Sequence, residues 1–202
     1  MILDKKKKYL KETDVLIAES PYAASKIAAD NLTLTLYKNY GLPITIARPF
    51  NTYGPRQSMR AIIPTIIAQL VKDPTKPITL GNLDSSRDFV FVEDTVEALI
   101  YLSKKGKNGE TYNISNGKSH SIKSIIKIMS NYLNIMPIIK IDKKRLRNSD
   151  VHDLVGDNTK IKKIGWKSNY SSQDGFKKGL IKTTKWIDQN KDLYFDAKKY
   201  HL

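Results

Sequence analysis

The stretch SPYAASKIAADNLTLTLYKNYGLPITIARPFNTYGPRQSMR, residues 20–60, decides how the rest of the chain is read. Ser20-Pro21 opens an apolar-periodic run, Gly41 closes it and Pro43 follows. That is the order expected of a helix with proline in its first turn and glycine just past its end. Ile27, Leu32, Leu34, Leu36 and Tyr37 are its candidate buried side. Residues 44–47, ITIA, form a short β-branched run that predicts a buried strand. A helix followed by a strand is half of a βαβ unit. In a parallel sheet ligands gather beyond the C-terminal ends of the strands, where residues 48–55 lie, and these predict a turn.

Tyr22 and Lys26 stand four residues apart at the start of the helical run, so they share a face, one turn apart. A free phenol has a pKa of about 10 and falls short of a neutral-pH base by roughly 3 units, or about 4 kcal/mol. One fixed cation about 4 Å away supplies a contribution of that size at an effective dielectric near 20. The pair can therefore act as a tuned acid/base. Taken alone, the same spacing also fits a packed tyrosine beside a solvated lysine.

The flanking motifs favour the chemical reading. Ser20-Pro21, the small residues Ala23, Ala24 and Ser25, and Arg48-Pro49-Phe50-Asn51-Thr52-Tyr53-Gly54-Pro55 resemble the extended short-chain dehydrogenase/reductase family of NAD-dependent nucleotide-sugar epimerases and dehydratases. RDFVFVED at residues 87–94 and DNTKIKKIGW at residues 157–166 resemble two further segments of that family, in the family's order. The resemblance runs from about Tyr9 to about Asn190 and is strongest to nucleotide-sugar 4,6-dehydratases. The run IARPFNTYGPRQSMRAIIPTIIAQL is most similar to members acting on UDP-N-acetylglucosamine, while GDP-mannose dehydratases and 4-epimerases share most motifs.

The resemblance implies an α/β fold, the C-terminal part of a doubly wound Rossmann-type parallel sheet with an interleaved smaller α+β lobe. Residues 1–55 and 86–116 would belong to the NAD-binding lobe, residues 56–85 and 117–202 to the substrate lobe. It implies Tyr22 and Lys26 as catalytic residues that also touch NAD, with Pro49 and Phe50 beside the cofactor. Asn51, Arg56, Arg60, Arg87 and Arg147 would bind the nucleotide sugar. An arginine fork suits diphosphate oxygens; read without the family, Arg87 also fits a surface pair with Asp84 or Asp88. Arg147 is followed by Asn148 where the family usually has proline. The family also implies a possible homodimer through the tyrosine-bearing helix.

Bulk composition narrows the alternatives. The chain has 202 residues, 40% hydrophobic and 27% charged, enough for a real core. No cysteine is present, which excludes disulfides and thiolate metal sites and fits a cytoplasmic location. His120, His152 and His201 lack ligand spacing, so no metal is expected. No window approaches 18 apolar residues, and charges follow Lys5–Lys8, so neither a membrane span nor a signal is expected. The net charge of +15 is spread along the chain without a nucleic-acid-binding motif, so no nucleic-acid partner is expected.

Residues 1–19 read as a loop with solvated Glu12, Asp14 and Glu19. Helices are expected over residues 61–72, 121–133 and 172–189, the last burying Phe176, Leu180, Thr184 and Ile187. Strands are expected over residues 77–80, 87–92, 111–115 and 137–141, with Asp94 capping a helix in a capping box with Glu97.

One family feature is missing. All ten glycines lie at or after Gly41, so no G-x-G-x-x-G turn is available to let backbone approach a pyrophosphate. The expectation is a truncated or split enzyme whose Gly-rich half is a separate N-terminal partner; the alternatives are a 4-epimerase of the same family and a non-catalytic remnant that only binds the sugar nucleotide.

Overall fold

The computed structural model describes residues 9–145 and 153–195. Helix α1 (Pro21–Tyr40) is capped by Ser20, whose hydroxyl accepts the Ala23 N–H at 3.1 Å. It ends at Gly41, where φ is 66° and the N–H reaches the Tyr37 carbonyl at 2.9 Å. Strands β1 (Ile46–Pro49) and β2 (Asn51–Tyr53) follow, then α2 (Ile62–Lys72), β3 (Ile78–Leu80), β4 (Ser86–Arg87) and β5 (Phe89–Phe91). The order continues α3 (Val92–Lys105), β6 (Thr111–Ile114), β7 (His120–Ser121), α4 (Ile122–Leu133) and β8 (Ile139–Ile141). A 3₁₀ turn (Lys143–Arg145), β9 (Asp153–Leu154), α5 (Thr159–Lys163), α6 (Gln173–Gln189) and α7 (Lys191–Phe195) complete it.

The strands pair across long sequence separations, and mostly in parallel. β1 lies parallel to β6 with Ile46 opposite Thr111, β2 parallel to β5 with Asn51 opposite Phe89, and β3 parallel to β8. β4 lies between antiparallel β7 and parallel β9. With helices between parallel strands the architecture is α/β.

Two apolar cores form. The larger joins Tyr53, Phe89 and Phe91 to α2, α4 and α6 through Ile66, Ile125, Phe176 and Leu180. Tyr53 meets Phe91 and Phe176 edge-on, at centroid distances of 5.4 and 5.5 Å. The smaller joins Val90, Ala98 and Leu102 to Tyr112, Ile114, Ile161 and Trp166. The expected buried face of α6 is present, with Phe176, Leu180, Thr184 and Ile187 all buried.

Several expectations need correction. Leu32 is 62% exposed, and only Ala23 of α1 is buried, so the helix has no full apolar seam with the described residues. It is instead held by an ion pair between Arg48 and Asp30 at 2.7 Å. Glu12 is not solvated: its carboxylate accepts the Asn113 N–H at 2.9 Å, beside a parallel bridge from Leu10 to Gly156. The turn expected over residues 48–55 is in part strand, because pairing of β2 with β5 overrides local turn preference. The strand expected over residues 87–92 breaks at Asp88, whose N–H bonds to the Leu154 carbonyl.

Asp94 does not cap α3, which starts two residues earlier. Its buried carboxylate instead accepts the Ser168 hydroxyl and the N–H groups of Asn169 (2.8 Å) and Tyr170 (3.0 Å), tying the loop before α6 to α3. Removing it leaves those donors unmatched, so Asp94→Ala should lose about 2–4 kcal/mol in urea unfolding. Glu97→Ala, which removes one exposed bond to Asn169, should lose less than about 1 kcal/mol.

Candidate functional site: an arginine-lined cleft

The site is built around Asp88, which is fully buried. Its Oδ1 accepts the Asn116 N–H at 2.9 Å, and its Oδ2 accepts those of Gly117 (2.9 Å) and Gly156 (3.3 Å). Its carbonyl accepts from Asn51 twice, from the backbone N–H at 3.1 Å and from Nδ2 at 3.2 Å. One residue therefore fixes the start of β2, the turn after β6 and the segment after β9. Gly156 lacks a side chain for a spatial reason, since a Cβ there would come within 2.6 Å of Ser115 and Phe50.

Beside this knot opens a cleft of about 540 Å³ between β3, β4, α2 and the 3₁₀ turn. Asn51, Arg60, Arg87 and Lys144 line it with the apolar Leu80 and Phe89. Three cations converge and no carboxylate is in the lining. Arg87 Nη1 donates to the Ser86 carbonyl at 2.8 Å, and nearby Asp84 pairs with Lys123 at 2.6 Å. Such a lining is chemically suited to a ligand with an anionic middle and an apolar or hydrogen-bonding flank.

His120 stands opposite Arg87 in the β4–β7 pairing. Its ring stacks on Phe176 at 3.6 Å, nearly coplanar at 7°. Burial and the neighbouring Lys118 charge push its pKa down, so it is neutral at pH 7 and adds no further cation behind Arg87.

The structure brings together Asn51, Arg60 and Arg87 of the residues expected to bind substrate. Arg56 is outside the cleft lining, in an exposed turn with φ 66°, an uncommon value for a residue with a side chain. Arg147 lies outside the described residues. Tyr22 and Lys26 are on the solvent-open side of α1, with Tyr22 72% exposed and the Lys26 ammonium 5.5 Å from the phenol ring centre. Pro49 ends β1, and Phe50 just after it donates its N–H to the Ile114 carbonyl at 2.9 Å. Sequence reasoning missed Lys144, hidden in the basic run KKRLR, and missed that Asp88 of the RDF motif is the tie between segments. No group of three or more His, Cys, Asp or Glu side chains suited to a metal ion occurs among the described residues.

The arrangement defines a Rossmann-type α/β protein with a cationic cleft at the ends of parallel strands. The chain belongs to the GDP-mannose 4,6 dehydratase family, whose model matches residues 4–179. It is 32% identical over 185 residues to dTDP-glucose 4,6-dehydratase 1 of Escherichia coli, covering 89% of this chain and 50% of that protein. The chain thus spans half or less of the length of such curated relatives. Among solved structures, dTDP-glucose 4,6-dehydratase from Bacillus anthracis in complex with NAD superposes with a TM-score of 0.83 at 27% identity, covering 94% of this chain and 58% of that one. UDP-glucuronic acid 4-epimerase from Bacillus cereus, in complex with UDP-glucuronic acid and NAD, also gives 0.83, at 26% identity and 93% and 59% coverage. No helix among the described residues is long and apolar enough to cross a membrane.

The Asp88 knot carries a pH signature. Burial pushes its carboxyl up to about 6, while the backbone donors pull the other way. The folded state thus holds the Asp88 proton more tightly than the unfolded chain does. The resulting stabilisation is complete below about pH 4 and is lost as pH rises through about 6. Between pH 4.5 and 7 this group should remove about 2 kcal/mol, seen as a steeper fall in unfolding free energy for wild type than for Asp88→Asn in urea titrations.

Proposed function

We propose that this chain is the nucleotide-sugar-binding portion of an NAD-dependent nucleotide-sugar 4,6-dehydratase, acting on a UDP-N-acetylglucosamine-like or GDP-mannose-like substrate. The observation that carries the reading is the cleft in which Arg87, Arg60 and Lys144 meet Asn51 with no acid among the lining residues. A diphosphate fits that charge pattern, and the arginine fork can meet two of its oxygens at once. The sugar would extend from Asn51 towards the Tyr22 and Lys26 end of the site. The family relationship and the substrates named for its relatives support the same class.

In this reading Tyr22 takes the proton of the sugar 4-hydroxyl, and the Lys26 ammonium one turn along favours the phenolate it needs. NAD, when bound, supplies the hydride acceptor. The residues present fit only one end of that cofactor. Tyr22, Lys26 and Phe50 could hold a ribose and nicotinamide, but the chain has no Gly-rich turn at a helix N-terminus for the pyrophosphate. That part would come from a complementary N-terminal portion, consistent with the length of the relatives. The solvent-open side of α1 and the unpaired edge of β1 among the described residues offer it a place; α1 could equally meet a second copy. The NAD-binding lobe would then include residues 1–55 and 86–116, and the substrate lobe residues 56–85 and 117–202.

A second reading, 4-epimerase, is favoured by the equal TM-score of the Bacillus cereus epimerase. Product analysis of the assembled enzyme separates them: a dehydratase gives a 4-keto-6-deoxy sugar, an epimerase the inverted sugar.

Titration calorimetry with UDP-N-acetylglucosamine, GDP-mannose and dTDP-glucose should detect binding of at least one. Arg87→Ala should weaken that binding roughly tenfold to a hundredfold, the size of a charge-assisted bond. Absence of binding to all three, or an unaffected Arg87→Ala, would contradict the reading. NAD at about 1 mM should move the thermal midpoint of the isolated chain by less than about 1 °C, because a ligand stabilises only the site it occupies. A clear shift near micromolar NAD contradicts the need for a complementary portion.

A further inference from the structure

We infer that Lys144 is a phosphate-binding residue of the cleft, meeting the phosphate nearest the nucleoside, while Arg87 meets the phosphate nearest the sugar and Asn51 the sugar itself. This rests on the nucleotide-sugar reading above and adds to it a residue from a third chain segment. Lys144 lies on the 3₁₀ turn after β8, far in sequence from the RDF motif that supplies Arg87. Two hydrogen bonds fix its backbone at the cleft. The Asp142 N–H reaches the Leu80 carbonyl at 2.8 Å, and the Lys144 N–H reaches Asp142 Oδ1 at 3.0 Å. These bonds tie the end of β3, the turn and the Lys144 backbone together.

The charge at Lys144 is available. Lys123, Lys160 and Lys182 are each committed to a carboxylate, Asp84, Glu110 and Glu93 respectively, at 2.6 to 3.0 Å. Lys144 is in no ion pair with a described residue, yet it is one of the cleft's lining side chains. The Asp142 carboxylate below it is already accepting the Lys144 backbone N–H. A cation held against the wall of a cleft that contains no acid is placed to meet an anion.

Position assigns the phosphate. Lys144 is tied through Asp142 to Leu80, and the half-buried Gly81 and Asn82 continue the same wall, where backbone and an amide can meet a planar base. Asn51 is instead held against Asp88, at the start of β2 directly after Phe50. A nucleoside diphosphate sugar lying along the cleft brings its inner phosphate to Lys144. The same contact would serve a nucleoside monophosphate, and it would be lost on a nucleoside.

The test uses the 202-residue chain with UDP, GDP and dTDP as probes, and takes the tightest of them forward with its monophosphate and its nucleoside. Lys144→Met should weaken the diphosphate and the monophosphate by the same factor, roughly five- to tenfold, and leave the nucleoside unchanged. Lys144→Arg should restore most of the loss. The gap between wild type and Lys144→Met should close to under about twofold at about 1 M NaCl, where charges are screened within a few ångströms. The exposed side chain is not part of either core, so the thermal midpoint serves as the folding control and should be unchanged. Equal affinities of wild type and Lys144→Met, or a loss that extends to the nucleoside, overturn the assignment and leave the nucleotide-sugar reading standing. Failure of wild type to bind any of the three diphosphates overturns both.

Discussion

The structure turns on one buried carboxylate. Asp88 receives three backbone N–H groups from two distant segments and, through its own carbonyl, both donors of Asn51. Burying such a group away from water is costly unless its lone pairs are met, and here the partners are all backbone. Those partners cannot swing away as side chains can. Arg87 precedes Asp88 in sequence and Asn51 bonds to it, so the two polar walls of the cleft share one anchor. Phe89 on the other side enters the large aromatic core with Tyr53 and Phe176. The motif RDF thus reads as cation, anchor and plug, three roles in three adjacent residues.

The binding side of the site and its chemical side are supported differently. The cleft is backed by a core of α2, α4 and α6 with Ile66, Ile67, Leu180 and Ile187 buried. α1, which carries Tyr22 and Lys26, is held by the Arg48–Asp30 ion pair, one buried alanine and half-buried Ile27, Leu34, Leu36 and Tyr37, the last packed over Gly109. β1 directs the N–H groups of Ile46 and Phe50 at β6, so by strand alternation Ala47 turns its N–H to the opposite edge. No described strand pairs with that edge, and Pro49 has no N–H to offer it. On α3, Val96, Leu99 and Ile100 are each about half exposed. These open surfaces agree with a chain that spans half the length of its Escherichia coli relative, and Tyr22 and Lys26 lie on one of them.

Much of this was legible in the sequence. Helices with a full apolar stripe and a clear cap, such as α4 behind Ser121 and α6 behind Ser172, lie where the periodicity puts them. Three of the five expected substrate residues meet in one cleft, because a linear motif on a strand carries its geometry with it. The misses share a cause. β2, β7 and β9 are two or three residues long and exist only through partners far along the chain, which no local pattern reveals. Glu12 reads as a solvated acid in sequence and Asp94 as a helix cap, yet each closes a loop at long range. Leu32 has the right period for burial and lacks a described neighbour to be buried against. Lys144 sits in a run of basic residues, where composition cannot distinguish a binding cation from a solvated one.

The central claim is that the cleft beside Asp88 holds the diphosphate of a nucleotide sugar. A crystal structure of the chain grown with UDP-N-acetylglucosamine or GDP-mannose tests it most directly. The account predicts diphosphate density within hydrogen-bonding distance of Arg87, with the sugar against Asn51. Density for the nucleotide on another surface, with Arg87 directed away from it, would contradict the account.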